Sequence, residues 1–224
     1  MRKIASDGWP ADKLIGCDLK NGKSEFPFIF KYVIYQLLLY TGSEFWEYGH
    51  EIFKSTAESF PASFIAGDIF DSKILTPQTT SNVNLTPSPT QSQLGSLPAL
   101  KSLSPLQGRV SVIHAGRLFH LFPEDKQERL GERLASLLSL ERGSVIFGSH
   151  FGRRTRGFRQ HHNGDGKVSE MFCHSPESWK EMWERIFRAG DSERASTGVR
   201  VEAYLSDIDD HIHSEWLTWS VTRL

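Results

Sequence analysis

Cysteine is scarce in this chain, which has two, Cys17 and Cys173, among its 224 residues. Two thiols exclude the disulfide framework that stabilises many small secreted domains, and they exclude a four-cysteine zinc site. The N-terminal residues 1–7 lack the apolar segment of a secretory signal peptide. These absences together predict a globular protein of the cytoplasm.

An excess of charge of one sign is also missing, because 26 Lys and Arg residues face 27 Asp and Glu residues. The chain therefore has no overall field that would attract nucleic acid, and we expect no nucleic-acid partner. A basic loop is predicted over residues 153–166. Its arginines could hold a carboxylate or a phosphate, or they could simply be solvated; they are Arg153, Arg154, Arg156 and Arg159.

Long hydrophobic runs are rare. The most apolar stretch, Phe26 to Tyr40, contains Lys31 and Gln36. It is shorter than the roughly 20 apolar residues that a membrane-spanning helix needs. The sequence therefore predicts no membrane span.

Short apolar strands alternate with amphipathic helices along the rest of the chain. Helices are predicted over residues 1–6, 43–60, 124–140 and 179–187, and strands over residues 13–19, 62–70, 109–115, 143–148, 199–205 and 216–224. This alternation predicts an α/β sheet with helices on both faces. The segment Thr76 to Pro105 is rich in Ser, Thr, Pro, Gln and Asn, a composition typical of a disordered surface loop.

Two of the predicted strands end in an aspartate, Asp18 and Asp68. Ligands of open parallel sheets bind at the carboxyl ends of the strands. A carboxylate after the first strand can accept hydrogen bonds from both hydroxyls of a ribose, and an acid followed by Ile69 can contact an adenine. Alternatively, each aspartate only caps the turn or helix that follows it. The spacing alone leaves both interpretations open.

The glycine-rich turn that usually approaches a nucleotide in such domains is missing. No G-x-G-x-x-G run occurs in the chain. The run Gly148 to Gly152 follows a late strand, and it also differs from the G-x-S-x-G nucleophile elbow of hydrolases.

The chain resembles the class I S-adenosylmethionine-dependent methyltransferases of fungal secondary-metabolite pathways, including those that make terpenoid–polyketide hybrids. The resemblance rests on five stretches, of which the region from His114 to Gly148 and the SPESW helix start are the most specific. The stretches are RKIASDGWPADKLIGCDLK, SEFWEYGHEIFKS, FIAGDIFDS, VSVIHAGRLFHLFPEDKQERLGERLASLLSLERGSVIFG and FCHSPESWKEMWERIF.

The resemblance implies a Rossmann-like fold, S-adenosylmethionine as cofactor and four residues that bind it. Asp18 and Leu19 would contact the ribose, and Asp68 and Ile69 would contact the adenine. The implied reaction is methyl transfer to an oxygen, a carboxylate or a hydroxyl, of a small apolar metabolite. A homodimer is one possible assembly.

The sequence departs from this family at its beginning, because Met1 falls inside the helix that should follow the glycine-rich loop. The first strand and that loop are therefore expected to be missing, which makes residues 1–224 a single incomplete domain. Since the loop encloses the methionine part of the cofactor, its loss should weaken binding and orientation. The alternative to an active enzyme is a non-catalytic truncated remnant or pseudoenzyme without productive cofactor binding.

A second departure is the segment Asn21 to Gly42, which interrupts a place where the family passes directly from strand to helix. We hypothesise that it is a translated intron. The residues at its two ends can be encoded across a fungal splice donor and acceptor in the same codon phase, so that removal would restore the frame.

Histidines supply the remaining candidates. His114 ends a predicted strand and His120 follows in the next turn, so either could act as the catalytic group that orients an acceptor or takes its proton. A partly buried structural histidine is the competing interpretation of both. No metal site is predicted, although the histidines at 161–162 and 211–213 leave a metal- or partner-binding module as a further alternative.

Overall fold

The computed structural model of the chain describes residues 1–18, 42–77, 97, 100–162, 168–189, 198–207 and 215–224. These residues divide into two compact units, the first reaching to Pro105 and the second beginning at Leu106. The prediction of a single incomplete domain over residues 1–224 stays a prediction. The apolar insert lies outside the described residues except for Gly42, and so does most of the Ser/Thr/Pro-rich segment.

In its described residues, the first unit contains two short parallel strands and two α-helices. Its elements are α1 (Arg2–Ser6), β1 (Ile15–Asp18), α2 (Gly42–Ile52) and β2 (Ser63–Ala66). The strands pair in parallel from Ile15 opposite Ser63 to Asp18 opposite Ala66. On α2, the ring of Trp46 stacks on that of Phe64 with centroids 5.3 Å apart. This contact packs the helix against β2.

Helix α2 ends earlier than the predicted boundary at residue 60. The last helical residue is Ile52, and Lys54 adopts a positive φ of 47°. A left-handed residue breaks the helical hydrogen-bond ladder, which explains why the helix stops here. The side chain of Phe53 is consequently 62% exposed.

The second unit contains six strands and two helices in its described residues. They are β3 (Val112–His114), α3 (Glu124–Leu137), β4 (Val145–Gly152), β5 (Gly157–His162), β6 (Val168–Cys173), α4 (Pro176–Ala189), β7 (Val199–Asp207) and β8 (Glu215–Arg223). Four strands form one sheet in the order β3-β4-β8-β7. The β3–β4 pair is parallel, whereas β8 is antiparallel to both β4 and β7. The predicted α/β class is confirmed.

The basic loop predicted over residues 153–166 is wrong in its central part. Residues Gly157–His162 form β5, which pairs antiparallel with β6 as a separate two-stranded sheet. The pattern of hydrophobic residues did not reveal β5, because this strand lies outside the main sheet and carries polar side chains such as Arg159 and Gln160. The pairing of β5 with β6 is stabilised by a contact across the two strands, in which the rings of Phe158 and Phe172 lie 5.5 Å apart.

An aromatic cluster fills the core of the second unit. The rings of Phe119 and Trp179 meet edge to face with centroids 4.7 Å apart, and those of Trp179 and Trp219 lie 4.9 Å apart. Trp183 is also completely buried. These residues come from a turn, from α4 and from β8, so the cluster joins helix and sheet. Burial of such rings dominates the stability of a core of this size.

A buried glutamine and an ion pair connect α3 to its surroundings. The side chain of Gln127 donates to the carbonyl oxygens of Phe122 and Phe172 at 2.9 and 3.0 Å. At the surface, Arg185 makes two hydrogen bonds to the Glu128 carboxylate at 2.8 and 3.0 Å, which ties α4 to α3. These bonds link α3 to β6 and to α4.

Within the described part of the chain, the helices are all too short or too polar to cross a membrane. The apolar stretch Phe26 to Tyr40 lies outside that part.

We predict that Gly148→Ala destabilises the second unit strongly. A Cβ at Gly148 would lie 2.1 Å from the backbone oxygen of Ala115 and 3.0 Å from Trp219 Cζ2. Because backbone cannot move aside as a flexible side chain can, we expect a loss of about 1–3 kcal/mol or more. Thermal melting should show it as a fall of several degrees. As a control, Gly198→Ala meets only Leu224 Cδ1 at an ordinary 3.5 Å and should melt like the parent. Equal melting temperatures for both variants would contradict the prediction.

Candidate functional site

The pairing of β1 and β2 brings the two predicted acids to the same edge of their sheet. Asp18 is the last residue of β1 and lies opposite Ala66, the last residue of β2. Asp68 follows two residues later. Because the strands are parallel, both acids lie at the carboxyl ends where ligands of such sheets bind. Leu19, the other predicted ribose contact, lies outside the described residues.

The turn after β2 is organised by Asp68. Its Oδ1 accepts a hydrogen bond from the backbone N–H of Phe70 at 2.8 Å, and its backbone oxygen accepts one from Asp71 at 2.9 Å. Asp68 therefore caps a turn, as one of the two sequence interpretations proposed. A carboxylate has two oxygens, so capping through one of them is compatible with ligand binding through the other. Ile69 beside it is half-buried.

A close contact at Gly67 fixes this strand end. A Cβ at Gly67 would lie only 2.4 Å from Ile74 Cδ1, so the absence of a side chain lets Ile74 pack directly on the backbone. The next residue, Leu75, is fully buried. The chain after Asp68 is thus folded back on β2, which holds the carboxylate at the sheet edge.

In the second unit, His114 lies at the carboxyl end of β3 with its side chain exposed. Its ring is 5.0 Å from that of Phe147. A Cβ at Gly116 would be 2.9 Å from Cε1 of His114, so the glycine allows the chain to pass close to the imidazole. His114 is therefore open to solvent.

His120, unlike the exposed His114, is buried among other rings. His120 is only 3% exposed, and its ring contacts those of Phe151 and His150 at 5.0 and 6.3 Å. Burial, with Arg117 as a smaller cause, lowers the pKa of His120 to about 4. This imidazole is neutral at pH 7 and is a weak base.

Two further buried histidines, His150 and His174, were not among the predicted site residues. His150 is fully buried, and its Nδ1 accepts a hydrogen bond from Trp219 Nε1 at 3.0 Å. His174 is 3% exposed, with its Nδ1 2.9 Å from Ser178 Oγ. The period-two pattern of β4 could have revealed His150, because it shares the buried face with Ile146.

Burial sets the protonation of both these histidines. It holds the pKa of His150 well below its usual value, with His120 and His174 adding smaller effects. It also lowers the pKa of His174 to about 4, and Arg156 contributes in the same direction. We therefore assign neutral imidazoles to the buried cluster at physiological pH.

Metal binding has little support in the described residues, which contain no group of three His, Cys, Asp or Glu side chains placed to hold an ion. The backbone of His161 and His162 belongs to β5. Their side chains, and the whole of residues 209–213, lie outside the description. The metal-binding alternative stays a hypothesis from the sequence.

We predict that acid destabilises the second unit through His120 and His174. Since the unfolded state takes up protons below pH 6.5 and these folded-state imidazoles do so only near pH 4, stability is lost as pH falls through that window. The loss between pH 7.5 and pH 5 should reach about 4 kcal/mol for the two groups together. Urea unfolding at a series of pH values measures it.

Variants identify the groups responsible for this pH dependence. His174→Gln should reduce the loss between pH 7.5 and pH 5 by about 2 kcal/mol, the share of one such histidine, while His114→Gln, at an exposed position, is the control. The charges that face His120 and His174 include Arg117, Arg156, Arg185 and Glu128. An unchanged dependence in His174→Gln would refute the assignment.

Comparison with known proteins relates the chain to methyltransferases. No protein-family profile matches it. It is 24% identical over 221 residues to O-methyltransferase phiE of a fungal species, covering 99% of this chain and 54% of that protein. It is 23% identical over 186 residues to the Asnovolin E/Chermesin D methyltransferase nvfJ of Aspergillus novofumigatus, covering 83% of this chain and 48% of that protein. The chain spans about half the length of these curated relatives.

Among solved structures, 1,6-didemethyltoxoflavin-N1-methyltransferase of Burkholderia thailandensis, with bound 1,6-didemethyltoxoflavin and S-adenosylhomocysteine, aligns with 99% of this chain and 81% of its own. The TM-score is 0.41 and the sequence identity 11%. By sequence, the chain is a relative of fungal methyltransferases, which confirms the resemblance that its motifs predict.

Proposed function

We propose that this chain is part of an S-adenosylmethionine-dependent methyltransferase that methylates an oxygen, a carboxylate or a hydroxyl, of a small apolar secondary metabolite. The observation that carries the proposal is the parallel register of β1 and β2, which places Asp18 and Asp68 at one sheet edge. The curated relatives, both methyltransferases and one of them an O-methyltransferase, support it.

The edge of the first unit would hold the adenosine part of the cofactor. Asp18, with Leu19 beside it, would accept hydrogen bonds from the ribose hydroxyls. Asp68 would accept one from the adenine amino group through the carboxylate oxygen that does not cap Phe70. The half-buried Ile69 would lie against the adenine ring. These donor and acceptor types fit an adenosine, since its polar groups at this end are hydroxyls and an amine.

The cofactor, when bound, supplies a methyl group on a positively charged sulfur. What the protein adds is orientation of the acceptor, exclusion of water and a place for the acceptor's proton. His114 suits the proton-accepting role better than His120, because its exposed ring can pass a proton to solvent. His120, buried and with a pKa of about 4, is better suited to shaping the apolar surroundings.

The alternative of a non-catalytic remnant makes the opposite prediction for cofactor binding. A calorimetric titration of the purified chain with S-adenosylmethionine separates the two. Micromolar binding would exclude the remnant, whereas a folded chain that binds no cofactor would exclude catalysis by this chain alone.

We predict that Asp68→Asn weakens S-adenosylmethionine binding about tenfold, which corresponds to one charge-assisted hydrogen bond. An amide has one acceptor oxygen, so it can still cap Phe70 but cannot serve the adenine as well. The titration should therefore show the loss without a change in melting temperature.

Asp71→Asn is the matched control for this variant. Asp71 lies in the same turn, and its side chain accepts, among the contacts described, only a local bond from the backbone N–H of Lys73 at 2.9 Å. The Asp71→Asn variant should therefore bind the cofactor like the parent. If both variants lose affinity equally, the effect comes from the turn and not from an adenine contact.

A further inference from the structure

A serine and a histidine lie in hydrogen-bond contact just after helix α2 of the first unit. The Oγ of Ser55 is 2.9 Å from Nδ1 of His50. The chain is bent back to bring them together, because Lys54 has a positive φ of 47° and the backbone N–H of Ser55 donates to the backbone oxygen of His50 at 2.9 Å. At this distance an imidazole can remove the proton of a hydroxyl group.

A guanidinium group from helix α1 contacts the same hydroxyl. Nη2 of Arg2 donates to Ser55 Oγ at 2.6 Å and to the backbone oxygen of Gly49 at 3.1 Å. Because a guanidinium can only donate, Ser55 accepts from Arg2 and keeps its own proton available for the imidazole. On this basis we assign Ser55 as the donor and Nδ1 of His50 as the acceptor.

Aromatic rings hold the imidazole and the guanidinium in position. The ring of His50 contacts those of Trp46 and Phe60, with centroids 5.4 and 6.4 Å away. The guanidinium of Arg2 lies over the rings of Phe53 and Phe60, at 4.5 and 4.4 Å from their centroids. Reacting groups that are fixed in advance lose little conformational entropy when a substrate arrives.

The serine hydroxyl has an apolar surface next to it. The side chains of Ser55, His50 and Arg2 are each half-buried, so a small molecule can reach them. At the same end of the helix, the side chains of Ile52 and Phe53 are 74% and 62% exposed. A substrate that uses both features must carry an electrophilic carbon on an apolar body.

We propose that Ser55 is a nucleophile with His50 as its general base, and that this site hydrolyses carboxylic esters with an apolar acyl chain. Serine is a weak nucleophile until a base removes its proton, and His50 is placed to do so. The positive charge of Arg2 lies against the attacking oxygen, where it stabilises the negative charge that develops during attack. The proposed methyl transfer uses none of these three residues, so the two proposals are independent.

The reaction has two steps. In the first, Oγ of Ser55 attacks the carbonyl carbon of the ester, and the serine proton passes to Nδ1 of His50. The bond from the carbonyl carbon to the alcohol oxygen then breaks, and the alcohol leaves with the proton from the imidazole. In the second step, water attacks the acyl carbon and gives a proton to His50. The bond to Oγ breaks, and Ser55 regains its proton as the carboxylic acid leaves.

The test treats the full chain with p-nitrophenyl butyrate and, separately, with an alkyl fluorophosphonate, which a nucleophilic serine attacks at phosphorus with loss of fluoride. We expect release of p-nitrophenol and, by mass spectrometry of peptides, one adduct on Ser55. Ser55→Ala should abolish both. His50→Gln keeps the hydroxyl but removes the base, so the adduct should form at least about 100-fold more slowly.

Ser59→Ala is the matched control, because Ser59 lies in the turn that follows and its Oγ accepts a hydrogen bond from the backbone of Thr56 at 2.8 Å. This variant should react like the parent. Melting curves show whether each variant is folded, and the position of the adduct in the parent chain needs no variant.

The proposal is overturned if the folded parent forms no adduct on Ser55, if adducts spread over many serines, or if His50→Gln reacts at the parent rate. Titration with S-adenosylmethionine, run in parallel, reports on the proposed function separately.

Discussion

The hydrogen bond from the Trp219 indole to His150 organises the interior of the second unit. Because Nδ1 of His150 accepts this bond, the neutral ring carries its proton on Nε2. The indole can reach the histidine only because Gly148, which lies opposite Trp219 in the β4–β8 register, has no side chain in its way. One residue without a Cβ thus makes room for one of the three tryptophans of the core.

This arrangement separates the histidines of the unit into two chemical kinds. His150 and His174 lie against Trp179, and His120 lies beside His150. All three stay neutral because they are shielded from water. His114, at the end of β3, is in contact with solvent. In sequence His114 and His120 are six residues apart and look equivalent, yet only His114 has the exposure that proton exchange with an acceptor requires.

Several features of the structure follow from local sequence and others do not. The strands of the main sheet are recognisable because they are buried and therefore rich in apolar residues, as in the region around Ile146. The β5–β6 hairpin is not recognisable in the sequence, because it is stabilised by pairing between residues that are separated along the chain, such as Phe158 and Phe172. The end of α2 depends on the left-handed conformation of Lys54, a residue type with no preference for it.

The same distinction applies to the candidate site. Strand ends that carry aspartates predict the edge where Asp18 and Asp68 lie, since parallel pairing is enough to bring them together. The pairing of Arg154 with Glu215 could not be predicted, because the two residues are far apart in sequence and meet only through the register of β8 with β4. The fold of the sheet determines which arginine pairs with a carboxylate, and the basic segment alone does not show it.

The sheet of the first unit has only four residue pairs in its described part, from Ile15 opposite Ser63 to Asp18 opposite Ala66. So short a parallel ladder opens and closes at little free-energy cost, and its backbone amides are expected to be among the first to exchange with solvent. A ligand that contacts the carboxyl ends of both strands would join β1 to β2 just beyond their last residue pair. For this edge, recognition of a nucleoside and the ordering of the strands would be the same event, so that part of the binding energy is used to complete the fold.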